Sequence, residues 1–125
     1  MTTYKIKSFT GLIAWQESHR LVLLVYKLTK KFPQNEFSLI DQMKRCAVSI
    51  TSNIAEGFSR KSKKEKNQFY YISLGSTTEL QNQLLISKDL EYITKAEFLK
   101  AAEQTVRVHK LINGLIKSSR DIQNT

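Results

Sequence analysis

"NIAEGFSRKSKKEK", residues 53–66, joins two helical patterns and so decides how the chain is divided. Apolar residues that lead into it recur every three or four positions, the period of a helix with one buried face: Leu39, Met43, Ala47, Ile50, Ile54 and Phe58. Within it, "SKKE" (62–65) is a capping box, in which Ser62 caps a new helix and Glu65 reaches back to its amide. Gly57 marks the predicted exit from the upstream helix. The stretch therefore predicts two helices joined by a tight turn.

The composition agrees with a helical protein. The chain has 125 residues, of which 41% are hydrophobic and 25% charged, values typical of a globular protein. Four glycines and one proline are few for the many turns of a β protein. We expect an all-α fold made of long helices, in a single domain covering residues 1–125.

Further border signals define the other helices. Pro33 separates the first helical pattern from the second, Ser38 is a candidate N-cap of the second, and "TKAE" (94–97) is another capping box. Short linkers make sequential helices antiparallel neighbours, so we predict an up-down-up-down four-helix bundle. The predicted helices cover about 12–32, 38–58, 62–90 and 94–119.

The helices carry more apolar residues than one buried face needs. In the first helix, two stripes are present, one of Trp15, Val22, Tyr26 and Thr29, the other of Leu21, Leu24, Val25, Leu28 and Phe32. Two stripes predict burial on two sides, in the bundle and against a partner subunit. The third helix is predicted to bury Phe69, Ile72, Leu80, Leu84 and Leu90, and the fourth a seam of Phe98, Ala102, Thr105, His109, Ile112 and Ile116. Gly75, in mid-helix, indicates either a close helix contact or a tolerated glycine.

The net charge is +9, and it is uneven. Up to Lys66 the chain has 13 basic and 5 acidic residues, and beyond it 7 and 6. Such a surface attracts polyanions, although a positive charge also serves solubility alone. The candidate nucleic-acid-binding residues are Lys44, Arg45, Arg60, Lys61, Lys63, Lys64, Lys66, Lys117 and Arg120.

The position of the lysines in this cluster is informative. Lys63, Lys64 and Lys66 stand at a helix N-terminus, where the macrodipole favours acidic side chains by about 0.3–1 kcal/mol each. A bound phosphate would be stabilised there, whereas long solvated lysines would cost little and mean nothing. An exposed tyrosine after the cluster could stack on an unpaired base, although Phe69 and Tyr70 are better assigned to the bundle. Glu56 is placed to pair with Arg60 one turn later.

Signals for catalysis are weak. The sequence contains neither a G-x-x-x-x-G-K-[ST] nor a G-x-G-x-x-G phosphate loop. His19 and His109 lie on or beside apolar stripes and are not in metal-ligand spacing, and Cys46, the only cysteine, is expected to be a packing residue. We predict no enzyme activity, no cofactor and no metal. A lone cysteine suits a reducing cytoplasm, and "LVLLVY" (21–26) is too short to span a bilayer.

The sequence also resembles a known family. "SNIAEG" (52–57), "RKSKKE" (60–65) and the "LGS…EL…QLLI" pattern (74–86) are similar to the proteins encoded within 23S ribosomal RNA intervening sequences, a group that includes the accessory variability determinant of diversity-generating retroelements. "AWQESHRLVLLVYKLTKKFP" (14–33) and "HKLINGLIKS" (109–118) resemble the family's first and last helices. One departure is Thr51, where relatives often have proline.

The resemblance implies a homopentameric barrel of four-helix subunits with a basic surface and, in the retroelement branch, binding to a reverse transcriptase and to nucleic acid. It brings no catalytic residues. The sequence therefore predicts a non-enzymatic homo-oligomer that binds RNA or DNA backbones. The alternative is a scaffold that docks a partner protein without binding nucleic acid.

Overall fold

A computed structural model of the protein describes the backbone of residues 8–123 and the side chains of residues 8–118. A 3-10 turn (Phe9–Gly11) precedes four helices: α1 (Ile13–Thr29), α2 (Phe37–Ser59), α3 (Lys63–Asp89) and α4 (Lys95–Gln123). Residues 8–123 contain no strand. The prediction of an all-α fold with four helices is confirmed.

Two of the three predicted caps are present. Thr94 and Glu97 form a reciprocal capping box, with the Glu97 amide donating to Thr94 Oγ1 (3.1 Å) and the Thr94 amide donating to Glu97 Oε1 (2.9 Å). Ser62 Oγ accepts from the Glu65 amide at 3.1 Å, as predicted. The Glu65 carboxylate accepts a hydrogen bond from the Ser62 hydroxyl rather than from the Ser62 amide that the capping box predicts. The assignment of Ser38 as a cap is wrong, because α2 begins at Phe37 and Ser38 lies within its first turn.

The helices pack in a cyclic order in which α1 contacts α2 and α4, and α3 contacts the same two helices. The predicted stripe of α2 is largely correct, since Met43, Ala47, Ile50 and Ile54 are buried. On α4, Thr105, Ile112 and Ile116 are buried as predicted, whereas Ala101 and Val108 are buried in place of Ala102 and His109. The largest fully buried side chains include Leu21, Met43, Ile50, Ile54, Leu80, Leu84 and Ile112.

The buried face of α3 agrees with the prediction at Leu80 and Leu84 and differs from it elsewhere. Ile72 and Leu90 are exposed, and their expected places in the core are taken by hydroxyl side chains. Ser73 Oγ donates to the Ile50 carbonyl of α2 at 2.9 Å, while Thr77 donates to a carbonyl of its own helix. A buried hydroxyl is tolerated when it is hydrogen-bonded, so short side chains fill the seam between α2 and α3.

Gly57, predicted to mark the exit from α2, lies two residues before its end, and the close helix contact that was one of two interpretations of Gly75 occurs at Gly57 instead. Gly57 is buried inside α2, and a Cβ added to it would lie 2.6 Å from Tyr70 Cε1 and 3.0 Å from the Lys66 carbonyl oxygen. Gly57 thus permits close approach of α2 and α3 rather than ending the helix. A Cβ on Gly75 would meet nothing within 4 Å, so no close helix contact inside the chain accounts for that glycine.

Candidate nucleic-acid interface

The candidate interface begins with the turn between α2 and α3. Arg60, the C-cap residue of α2, has an extended backbone, and Ser62, the N-cap of α3, is also extended. Only three residues separate the two helices, so Arg60, Lys61, Lys63, Lys64 and Lys66 are held at one edge of the bundle. Their side chains, however, have different partners.

Arg60 is held by its own helix and by α3. Its Nη2 atom lies 3.1 Å from Glu56 Oε2, which is the predicted pair one turn apart. Its guanidinium also lies 4.9 Å from the centre of the Phe69 ring. Exposed pairs of this kind contribute little to stability, but the two contacts orient the guanidinium across the turn.

Lys66 caps the end of α2. Its Nζ donates to the Phe58 carbonyl at 2.8 Å, one of the groups that the end of a helix leaves without a partner in the helix. It also lies 3.4 Å from the Gly57 carbonyl, which accepts from the Arg60 amide as well. Burial lowers the pKa of this lysine from its ordinary value. The charge of Lys66 therefore has a structural use, favourable at the C-terminus of α2, which the sequence pattern did not reveal because the partners are backbone atoms.

The three remaining lysines of the turn divide into two kinds. The Lys63 ammonium nitrogen is buried, whereas Lys61 and Lys64 are exposed. The first turn of α3 contains Glu65 as its only acidic residue, and the hydrogen bond from Ser62 engages that carboxylate. Lys61 and Lys64, beside the positive end of α3, are consequently the cations of the turn best placed to meet a phosphate.

Lys44 and Arg45 lie elsewhere. They are about 15 residues before Arg60 on α2, which corresponds to roughly 22 Å along the helix axis. Lys44 Nζ lies 4.8 Å from the centre of the Tyr26 ring, and Arg45 Nε pairs with Asp41 at 2.7 Å. Together with Val48, Ser49 and Ser52 these residues line a shallow groove of about 470 Å³. The structure does not bring them to the turn.

The last two candidates are on α4. Lys117 is exposed near the end of the helix. The side chain of Arg120 lies outside the residues whose side chains the structure describes.

The aromatic residues after the turn follow the prediction. Tyr70 is buried against Gly57, and burial raises the pKa of its hydroxyl. Phe69 is half-buried beneath Arg60. Tyr71, 54% exposed, is the tyrosine available for stacking.

Cys46, His19 and His109, the side chains considered for catalysis or metal binding, each contact neighbouring groups of the chain. The Cys46 thiol, predicted to be a packing residue, is buried and donates to the Ser76 carbonyl at 3.0 Å. Burial raises its pKa to about 12, so it is a poor nucleophile at neutral pH. His19 stacks on Trp15, and His109 contacts Asn113. Within the described part of the chain, no group of three or more His, Cys, Asp or Glu side chains could hold a metal ion, and no helix there is long and apolar enough to cross a membrane.

This combination of four helices with a basic α2–α3 turn can be compared with known proteins. The sequence profile of the 23S rRNA-intervening sequence protein family matches residues 10–114. The chain belongs to this family. The match covers the helices α1 to α3 and most of α4, and thus includes every candidate residue except Lys117 and Arg120.

A solved structure supports the fold of this family member. It is the crystal structure, at 1.70 Å resolution, of a protein of unknown function from the S23 ribosomal protein family of Bacteroides thetaiotaomicron. The two align with a TM-score of 0.79 and 24% identity, over 84% of this chain and 99% of the other. At this identity the likeness shows the fold alone. No curated protein matches significantly.

Proposed function

We propose that this protein is a non-enzymatic, cytoplasmic homo-oligomer that binds RNA or DNA phosphates through the α2–α3 turn. The observation that supports this most directly is the exposure of Lys61 and Lys64 at the start of α3. These two charges have no structural use comparable to that of Lys66, and their position disfavours α3 itself. A phosphate at this helix end would offset that cost.

The arrangement of nearby acids supports the same proposal. Glu56 faces Arg60, and Glu65 accepts a hydrogen bond from Ser62. Glu56 is thus paired with Arg60, which leaves Glu65 alone against Lys61 and Lys64, so the two exposed lysines are compensated only in part. Backbone contact of this kind is independent of sequence, with Tyr71 available to stack on an unpaired base.

An antiparallel up-down-up-down order is part of the proposal, and the contact register supports it. Lys88 on α3 contacts Phe98 on α4, and Gln81 contacts Thr105. The residue number therefore falls along α3 as it rises along α4, which is the register of antiparallel helices. Continuing the same register brings Lys117 level with Phe69. In this arrangement Lys117 extends the basic surface of the turn.

Self-association is also part of the proposal. The exposed large apolar residues of α3 are Tyr71, Ile72, Leu85 and Ile86, and its C-cap residue Leu90 is exposed as well. An accumulation of this size on a small protein is typical of an interaction surface. The homopentameric barrel implied by the family resemblance would bury such faces between subunits.

A binding assay with matched variants tests the nucleic-acid part. We expect the protein to bind a structured RNA at low salt, with log K falling linearly with log salt. Reversal of both lysines (Lys61→Glu with Lys64→Glu) should reduce the salt slope by about 1–2, since each phosphate contact contributes about 0.9 on duplex nucleic acid.

The control is Lys100→Glu with Lys110→Glu, which changes the net charge equally at two exposed lysines of α4. We expect this control to retain most of the affinity and the slope. Absence of binding at low salt, or equal losses in the two double variants, would refute the proposal of a localised interface.

A second candidate is a scaffold that docks a partner protein, for which a reverse transcriptase is the partner implied by the retroelement branch. The exposed Tyr71 and Leu85 favour it. On this alternative, Tyr71→Ser or Leu85→Ser would abolish partner capture, while the Lys61/Lys64 reversal would leave it intact.

A further inference from the structure

One face of α3 forms a continuous exposed ridge. Ile72, Gly75, Glu79, Asn82 and Ile86 recur every three or four residues, and thus share a face of the helix. All five are exposed, Ile72 to 51% and Ile86 to 40%. Glu79 is the only charged residue between Gln68 and Ser87. In a protein of net charge +9, this ridge is apolar and acidic.

Gly75 gives the ridge a flat centre. A glycine inside a helix costs about 1 kcal/mol relative to alanine, and at Gly57 the packing of Tyr70 explains that cost. At Gly75 no atom of the described residues lies within 4 Å of an added Cβ. Gly75 therefore leaves room, in the middle of the ridge and beside Glu79, for another surface to approach the α3 backbone closely.

The groove between α1 and α2 has the opposite character. Tyr26 and Val48, exposed to 41% and 39%, give it an apolar floor. Lys44 and Arg45 give it two positive charges, against one from Asp41, which pairs with Arg45. The groove is thus concave, apolar and basic, whereas the ridge is apolar and acidic.

We propose that the α3 ridge of one copy seats in the α1–α2 groove of a second copy, with Glu79 facing Lys44 and Arg45. This interface rests on the self-association in the proposed function and specifies its faces. Ridge against ridge would bring acidic surfaces together, and groove against groove would bring basic ones together, so charge complementarity favours the mixed pairing. Because the two faces differ, the contact repeats head to tail and generates a ring or a filament.

The assignment also divides the basic residues between two tasks. Lys44 and Arg45 serve assembly, while Lys61 and Lys64 at the turn remain available to phosphates. Charge reversal at the groove should therefore change the oligomeric state in the absence of any nucleic acid.

The test is an exchange of charges, measured by sedimentation equilibrium of the full chain without nucleic acid. Glu79→Lys and Lys44→Glu should each weaken self-association at least about tenfold, and the double variant, whose net charge equals that of the wild type, should recover most of the loss. Glu103→Lys, at an exposed acidic residue of α4, is the control and should leave association unchanged.

A second pair of variants tests the close approach. Gly75→Gln should weaken association by a similar factor, since its side chain would stand between the two surfaces. Gly114→Gln is the matched control, because Gly114 is also exposed in mid-helix with nothing within 4 Å of an added Cβ. Far-UV circular dichroism should show both variants folded, as an added Cβ meets nothing within 4 Å at either exposed position.

The outcomes separate this interface from the broader proposal. A wild-type protein that stays monomeric would overturn both the interface and self-association. A wild type that associates, with Glu79→Lys and Lys44→Glu having no effect or failing to restore each other, would overturn this interface alone. The Lys61/Lys64 salt series reports on nucleic-acid binding independently of either result.

Discussion

Gly57→Ala is expected to destabilise the protein although alanine is the better helix former. A helix-interior alanine would add about 1 kcal/mol of stability on propensity alone. The new Cβ, however, would lie 2.6 Å and 2.9 Å from two ring atoms of Tyr70 and 3.0 Å from the Lys66 carbonyl oxygen. The Tyr70 ring is buried, and the carbonyl belongs to the backbone of α3, so neither can move aside without displacing a helix.

The magnitude follows from these two opposing effects. Overpacking a close contact typically costs about 1–3 kcal/mol. Subtraction of the propensity gain leaves a net cost of about 0–2 kcal/mol. Because the contact of 2.6 Å is far shorter than real Cβ contacts, we expect the upper half of this range, a fall in the free energy of unfolding of about 1–2 kcal/mol. Urea titration followed by far-UV circular dichroism, at one fixed protein concentration, measures the change, and an unchanged m-value would show that the two-state comparison holds.

Two further variants make the reasoning refutable. In Gly75→Ala the added Cβ has no atom within 4 Å. In a monomeric sample this variant should keep the free energy of unfolding of the wild type or gain up to about 1 kcal/mol. In a Tyr70→Leu background the cost of Gly57→Ala should be clearly smaller, because the two ring atoms are gone and only the Lys66 carbonyl contact at 3.0 Å remains. If Gly57→Ala were as stable as the wild type, or lost the same amount in both backgrounds, the proposed contact would not explain the glycine.

The remaining predictions concern single side chains. Lys66→Met should lower the free energy of unfolding by about 1–2 kcal/mol through loss of the charged hydrogen bonds to the end of α2, while Lys64→Met changes it by less than about 0.5 kcal/mol; equal effects in urea titration would contradict the assignment. Thr94→Ala should cost about 1 kcal/mol as a lost cap, and Ser38→Ala close to nothing. The pKa of Cys46 is raised from 9.0 to about 12, so between pH 9 and 12 the unfolded chain loses a proton that the folded chain keeps; stability should fall with rising pH more steeply in the wild type than in Cys46→Ala. Iodoacetamide should label native Cys46 far more slowly than the urea-unfolded chain.

Much of the architecture could be predicted from the sequence because it depends on local signals. The capping boxes at Ser62 and Thr94 determine where α3 and α4 begin, since the partner atoms are only three residues away. Pro33 separates the first two helices for a similarly local reason. The α2 stripe was correct because it consists of large apolar residues.

The errors arise where the deciding partner is distant in sequence. In α3 the pattern of large apolar residues indicated Ile72 and Leu90, yet Ser73 and Thr77 are buried, because hydroxyls can bond to nearby carbonyls and let α2 approach. The close contact at Gly57 depends on Tyr70 in the next helix, and the hydropathy pattern of α2 alone does not predict that contact. At the candidate interface, the sequence located the basic turn but could not separate Lys66, bound to the carbonyls of α2, from the exposed Lys61 and Lys64.

The hydroxyl-lined seam between α2 and α3 has a calorimetric consequence. Exposure of apolar surface raises the heat capacity of the unfolded chain, and exposure of polar surface lowers it. When the protein unfolds, a core face built with Ser73, Thr77 and Ser87 exposes less apolar surface and more polar surface than an aliphatic face would. The heat-capacity change of unfolding should therefore lie below the usual value of about 12–15 cal/mol/K per residue, and the protein's stability should vary only gently with temperature.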